Sequence, residues 1–156
     1  MGINNMAFPF NNTVETALRT LSVLDAIYPK SVDLELLVCL DYICVHSADF
    51  FEGTESLHPE NPNRTGEVLV RRTFIEDALN FLHAKNLICV SYLSSGIEYK
   101  ASDMATSFLD RVSAPYSKKL IARAILIGQH LQQTDNATIA RMVKAKTFNY
   151  AFQSRT

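Results

Sequence analysis

Twelve residues, Leu34 to Val45, constrain this chain more than any others. In LELLVCLDYICV only Glu35 and Asp41 are charged, and the apolar side chains cover nearly the whole circumference of a helix rather than one stripe. Ser31 or Asp33 can open that helix, and it is expected to reach about His46. A helix apolar nearly all round has to be covered on several sides, so the remainder of the chain must supply its cover. The run is shorter than the ~20 residues that span a bilayer, and Asp41 interrupts it. A soluble, cytoplasmic protein is the expectation. At 156 residues the chain is long enough for one domain with a proper core.

The cover is predicted by pattern. Residues 1–12, rich in Asn with Pro9, read as a loose N-terminal arm. Val14, Leu18, Leu21 and Ile27 recur near helical spacing after Thr13, and Pro29 ends that helix. Residues 48–65 have no apolar periodicity and contain Gly53, Pro59 and Pro62, which makes a long loop of a kind that is usually functional. A third helix resumes after Gly66 and runs to about Lys85, with Asn86 as its C-cap. The period then changes to two: Ile88, Val90 and Tyr92 alternate, then Ile97, Tyr99 and Ala101, joined at Ser94-Ser95-Gly96. Helices follow from Ser102 or Asp103, from Pro115 and from Thr134 or Asp135. The expected fold is α+β and mostly helical. Its winged-helix-like core (13–101) has three helices, a two-stranded hairpin and the loop 48–65 inserted between helices 2 and 3. C-terminal helices (102–147) and a tail (148–156) complete it.

Charge is split along the chain. Residues 1–78 carry 5 Lys or Arg against 12 Asp or Glu, a net −7, and residues 79–156 carry 10 against 4, a net +6. Either two different partners or neutralisation within the fold accounts for such a split. Cys39, Cys44 and Cys89 are odd in number, form no CxxC and sit in apolar runs, so reduced, buried thiols are expected.

The segment HSADFFEGTESLHPENPNRTGEVLVRR (46–72) gathers side chains that could carry chemistry. His46, Asp49, His58 and Glu60 could ligate zinc, but no HExxH or CxxC spacing fixes them. Ser47 and Ser56 lack a nucleophile-elbow context. A loop-based metal hydrolase is therefore the third reading, and neither catalytic residues nor a cofactor are expected. Docking to a protein suits the segment better. Pro59 and Pro62 stiffen it by fixing φ, which lowers the entropy lost on binding. Arg64, Arg71 and Arg72 can brace it through Asp49, Glu52, Glu55 or Glu67, or contact a partner. The third helix is close to neutral and the hairpin tip has no basic residue, which suits neither base reading nor a grip on phosphate. Lys118, Lys119 and Arg123, then Arg141, Lys144 and Lys146, are the better phosphate-contact candidates.

The runs DYICVHSADF, ESLHPENPNRTGEVLVRR and IEDALNFLHAKNLI closely resemble the small middle component of bacterial ABC-three-component systems, related to Lamassu-type anti-phage defence. The likeness spans about Leu36 to Leu109. Its most particular residues are His46 and Ser47; Ser56, Leu57, His58 and Pro59; Pro62 and Arg64; and Glu67, Arg71 and Arg72. The resemblance implies a non-enzymatic adaptor that links an SMC-type coiled-coil ATPase to an effector, often a nuclease, with DNA contacted through the complex. ATP and magnesium would then belong to the ATPase. A winged-helix transcriptional regulator that binds DNA is the alternative.

Overall fold

The structure, a computed structural model, describes residues 13–57 and 64–153. Along these run α1 (Thr13–Ala26), α2 (Leu34–Val45), a 3-10 turn (Ser47–Asp49), α3 (Arg64–Ala84), β1 (Ile88–Leu93), β2 (Gly96–Ala101), α4 (Ala105–Asp110), α5 (Pro115–Leu131) and α6 (Asn136–Gln153). The mostly helical α+β order expected from the pattern is observed: three helices, a two-stranded antiparallel hairpin, then further helices. Two helices exceed their expected bounds. The third begins at Arg64 and takes Gly66 into its first turn, and α6 continues past residue 147 to Gln153. The arm 1–12 and the loop residues His58, Pro59 and Pro62 lie outside the described residues.

α2 is the central helix. Leu37, Val38, Leu40, Tyr42, Ile43 and Cys44 are all buried, and α1, α3, α5 and α6 each pack on it. Asp33 starts it in the expected way, its carboxylate accepting the Leu36 N–H at 2.9 Å. α5 and α6 bring Ile121, Ala124, Ile127, Ile139 and Val143 into the same core as the first three helices. α1 and α5 approach closely. A Cβ placed on Gly128 would stand 2.5 Å from the Ala26 Cβ, so only hydrogen fits there.

The end of α3 follows the Schellman pattern. Asn86 has φ of 61°, Leu87 N–H reaches the Leu82 carbonyl at 3.0 Å and Asn86 N–H reaches His83 at 3.0 Å. Leu82 and Leu87 are both buried beside that turn, completing its apolar contact. The chain then enters the hairpin, whose register pairs Ile88 with Ala101 and Leu93 with Gly96 around Ser94 and Ser95. Val32, between α1 and α2, bridges to Tyr99 through two backbone hydrogen bonds of 2.9 and 2.8 Å. That bridge ties the hairpin to the start of the central helix.

One face of the hairpin carries Ile88, Val90 and Tyr92 opposite Ala101, Tyr99 and Ile97. Its base is buried, while its outer end projects with Tyr92 76% exposed and Ile97 also exposed. The other face carries Cys89 opposite Lys100, and Cys89 is exposed, against the expectation of burial for all three thiols. The alternation that buries Ile88 turns its neighbour outward. Cys44 is buried, and burial beside Asp41 pushes its thiol up to about 12. Among the described residues no helix is long and apolar enough to cross a membrane.

Gly128 gives a stability test. Alanine gains about 1 kcal/mol of helix propensity, but overpacking against Ala26 costs about 1–3 kcal/mol. Gly128→Ala is expected to lower the urea midpoint, and adding Ala26→Gly is expected to recover most of the loss. A Gly128→Ala midpoint at or above wild type would contradict the close α1–α5 contact.

Candidate functional site

The loop that follows α2 is shaped by the two residues at that helix's end. His46, the C-cap, is buried, and its Nε2 lies 2.8 and 2.9 Å from the two carboxylate oxygens of Glu67 in α3. An ionised carboxylate only accepts, so Nε2 carries the proton and donates. Ser47 is buried next to it. Its hydroxyl donates to the Glu55 carbonyl at 3.3 Å and accepts from Arg123 of α5, which also donates to that carbonyl.

Two further bonds close the loop. Ala48 N–H donates to the Ser56 hydroxyl at 3.2 Å, and Leu57 N–H donates to the Val45 carbonyl at 2.9 Å. Val45 is the last residue of α2, so its carbonyl has no helical partner of its own. The segment 47–57 therefore leaves the end of α2 and returns to it, with Phe50, Phe51 and Leu57 packed on the core. Such a compact loop with adjoining ends is held by its own contacts. The prolines expected to stiffen the loop lie outside the described residues. Within them, Ser47, Ser56, Leu57 and Arg123 supply the order.

Beneath the loop lies a buried set of charges. Asp41, 2% exposed in the middle of α2, accepts from Arg19 Nε at 2.8 Å and from Arg71 Nη1 at 2.7 Å. Arg19 Nη1 also donates to Glu15 at 2.9 Å, and Arg71 Nη2 donates to Glu67 at 3.1 Å. Tyr116 of α5 donates its hydroxyl to Glu15 at 3.2 Å. Polar contacts thus leave α5 at Tyr116 and pass through α1, α2 and α3 to His46, and its chain neighbour Ser47 is bonded in turn to Arg123 of α5.

Burial alone would push Asp41 up, but the charges and hydrogen bonds of Arg19 and Arg71 outweigh it and hold the carboxyl down at about 2. Burial also opposes ionisation of Glu67, and its hydrogen bonds and attraction to His46 and Arg71 lower it nonetheless. For Tyr116, burial and the adjacent Glu15 act together and push the phenol up to about 12.

The sequence-predicted residues separate into groups. His46, Glu67 and Arg71 come together, and Ser47, Ser56 and Leu57 organise the loop above them. Asp49 closes the 3-10 turn. Arg71 points into the core, braced on Asp41 and Glu67. Arg72 pairs with Glu35 of α2 and with Glu76 at 3.5 Å. Arg64 opens α3, and its side chain lies outside the described residues. Arg123 is turned onto the loop, while Lys118, Lys119, Arg141 and Lys144 are exposed and Lys146 is half-buried. Among the described residues no group of three or more His, Cys, Asp or Glu is arranged to hold a metal ion. Arg19 escaped notice in the sequence. The available signal was Asp41, since a charge in the middle of a helix apolar nearly all round requires a buried cation.

Asp41→Asn leaves two buried guanidiniums short of their counter-charge, and a loss of about 3–5 kcal/mol in urea unfolding is expected. The pH dependence has a definite sign. Asp41 falls from its ordinary 3.8 to about 2 on folding, so its contribution is present above about pH 4 and disappears as pH drops through 2. That contribution is about 2 kcal/mol. Stability should fall between pH 5 and pH 2, less steeply in Asp41→Asn. An acid limb unchanged by the substitution would be inconsistent with the clamp.

The family model described as ABC-three component (ABC-3C) system Middle Component 2 matches residues 9–152, well beyond the span 36–109. No curated protein and no solved structure matches the chain. With nearly its full length matched, the chain belongs to the family of ABC-three component system Middle Component 2.

Proposed function

We propose that this chain is a non-enzymatic adaptor of an anti-phage defence complex related to Lamassu-type systems, joining an SMC-type ATPase to an effector that is often a nuclease. Membership of a middle-component family supports partnership with the other components of such a system. The observation that carries the reading is the braced loop 47–57. Its backbone is locked onto the end of α2 and onto Arg123, so a partner would meet a formed surface and little ordering entropy would be lost. Glu52, Gly53 and Glu55 are exposed along it. ATP and magnesium would act on the ATPase.

A second reading, a DNA-binding regulator with a winged-helix core, is favoured by the order of three helices and a hairpin. The surface of α3 weighs against it. Its exposed residues include Leu69, Val70, Glu76 and Asp77, and Arg72 is engaged by Glu35. Base reading calls for free Arg, Lys, Asn or Gln in that position. DNA contact within the complex would fall instead to Lys118, Lys119, Arg141 and Lys144.

Arg71 is unsuited to a docking test, because its loss strands Asp41. Arg123→Ala, which frees the loop, and Glu52→Lys, on its exposed side, leave the buried clamp in place. Each is expected to lower co-purification of the ATPase about tenfold, or ~1.4 kcal/mol, with wild-type far-UV circular dichroism. Undiminished assembly together with intact phage protection would overturn the adaptor reading. Tight sequence-specific binding by the isolated chain in a gel shift would favour the regulator.

A further inference from the structure

A groove of about 380 Å³ lies between the C-terminal end of α3 and α4, remote from the braced loop. α3 has 21 residues and is about 30 Å long, so the loop and the groove sit near its opposite ends. Phe81, Leu87, Met104 and Phe108 form the apolar part of the groove. Met104 is 57% and Phe108 41% exposed. The walls are preformed: Ser102 donates its hydroxyl to the Asn86 carbonyl at 2.8 Å and accepts the Met104 N–H at 3.2 Å, tying α4 to the end of α3.

The charge lining this groove is net positive, with Lys85 and Arg111 against Asp103. Lys85 and Arg111 stand at its rim, both exposed, and among the described residues neither makes an ion pair. Lys85 Nζ lies 5.9 Å from the Phe81 ring centre. Asp103, also in the groove, accepts the Tyr28 hydroxyl at 3.2 Å. Lys85 and Arg111 each follow a helix C-terminus, where a cation is favoured by the helix dipole. That accounts for the sign of the charge and leaves unexplained the two large apolar side chains exposed beside it. Methionine and phenylalanine next to unpaired cations are the chemistry of a surface that takes an amphipathic acidic segment.

We propose that this groove receives an acidic segment of a second component of the complex. One or two large apolar side chains would lie on Phe81, Met104 and Phe108, with carboxylates on Lys85 and Arg111. The volume, near the lower end of the about 300–1,000 Å³ of ligand pockets, suits side chains rather than a large ligand. The proposal rests on the adaptor reading and adds to it a second docking end, opposite in charge to the acidic loop.

The test uses the full chain co-expressed with the other components of its system, with the photo-crosslinker p-benzoylphenylalanine in place of Met104. Mass spectrometry is expected to map the crosslink to a segment of another component in which Asp or Glu flank large apolar residues. Lys85→Glu/Arg111→Glu should cut recovery of that component at least tenfold, and Phe108→Ser several-fold. Changing the mapped acids to Lys should restore recovery with the double variant. Both variants alter exposed positions, and a thermal midpoint within a few degrees of wild type separates lost docking from lost fold. Crosslinking to a basic segment, to DNA or only to a second copy of this chain overturns the groove proposal. So does undiminished recovery with both variants, and in that case the adaptor reading stands. If the wild-type chain recovers no component at all, the adaptor reading fails and the groove proposal fails with it.

Discussion

Asp41 shared between Arg19 and Arg71 is the interaction on which the remainder of the molecule depends. α1 brings Arg19 and Glu15, α3 brings Arg71 and Glu67, and α2 brings Asp41, whose buried carboxylate is tolerated because both guanidiniums face it. Such a cluster adds little net stability compared with a well-packed apolar one, since desolvation consumes most of the attraction. It does discriminate between arrangements. A rotation of α1 or a register shift of α3 would leave a buried guanidinium facing hydrocarbon, at a cost of several kcal/mol. Leucines and isoleucines around α2 could accept several helix orientations, and the charges select one of them.

The same cluster explains why the loop has a fixed shape. Glu67 is held by Arg71 on one side and His46 on the other, and His46 is covalently next to Ser47, where the loop begins. Any force on the loop is therefore transmitted to α3 through one ion pair and to α5 through Arg123. The dipolar sequence has a corresponding spatial meaning, with acidic side chains exposed on the loop and unpaired cations beside α4.

Much of this was readable from residue patterns, and the failures have physical causes. The nearly all-apolar run 34–45 identified the central helix because no single stripe of it is polar enough to face water. The change to period two located the hairpin, and Asn86 marked the end of α3 through its tolerance of positive φ. Arg19 was missed because an arginine on an amphipathic helix normally faces water, and nothing within α1 announces that α2 will supply its carboxylate. Arg123 was grouped with Lys118 and Lys119 because helical spacing reports a shared face but cannot report a long side chain reaching a loop 76 positions earlier. For the loop itself, the family likeness singled out His46, Ser47, Glu67 and Arg71. Their division into a buried brace and a surface element required the packing.

The return of the polar circuit to α5 also bears on how the chain reaches its native state. Its first and last links, Tyr116 and Arg123, belong to a helix synthesised long after the residues they hold, Glu15 and Ser47. During translation, α1 to α3 and the hairpin can emerge and collapse around α2, yet the circuit stays open at two places until α5 has left the ribosome. An early terminated fragment ending at the hairpin would resemble the first part of the protein in helix content while presenting an unlocked loop. The loop that leaves α2 is thus locked only after α5 has followed the hairpin out of the ribosome.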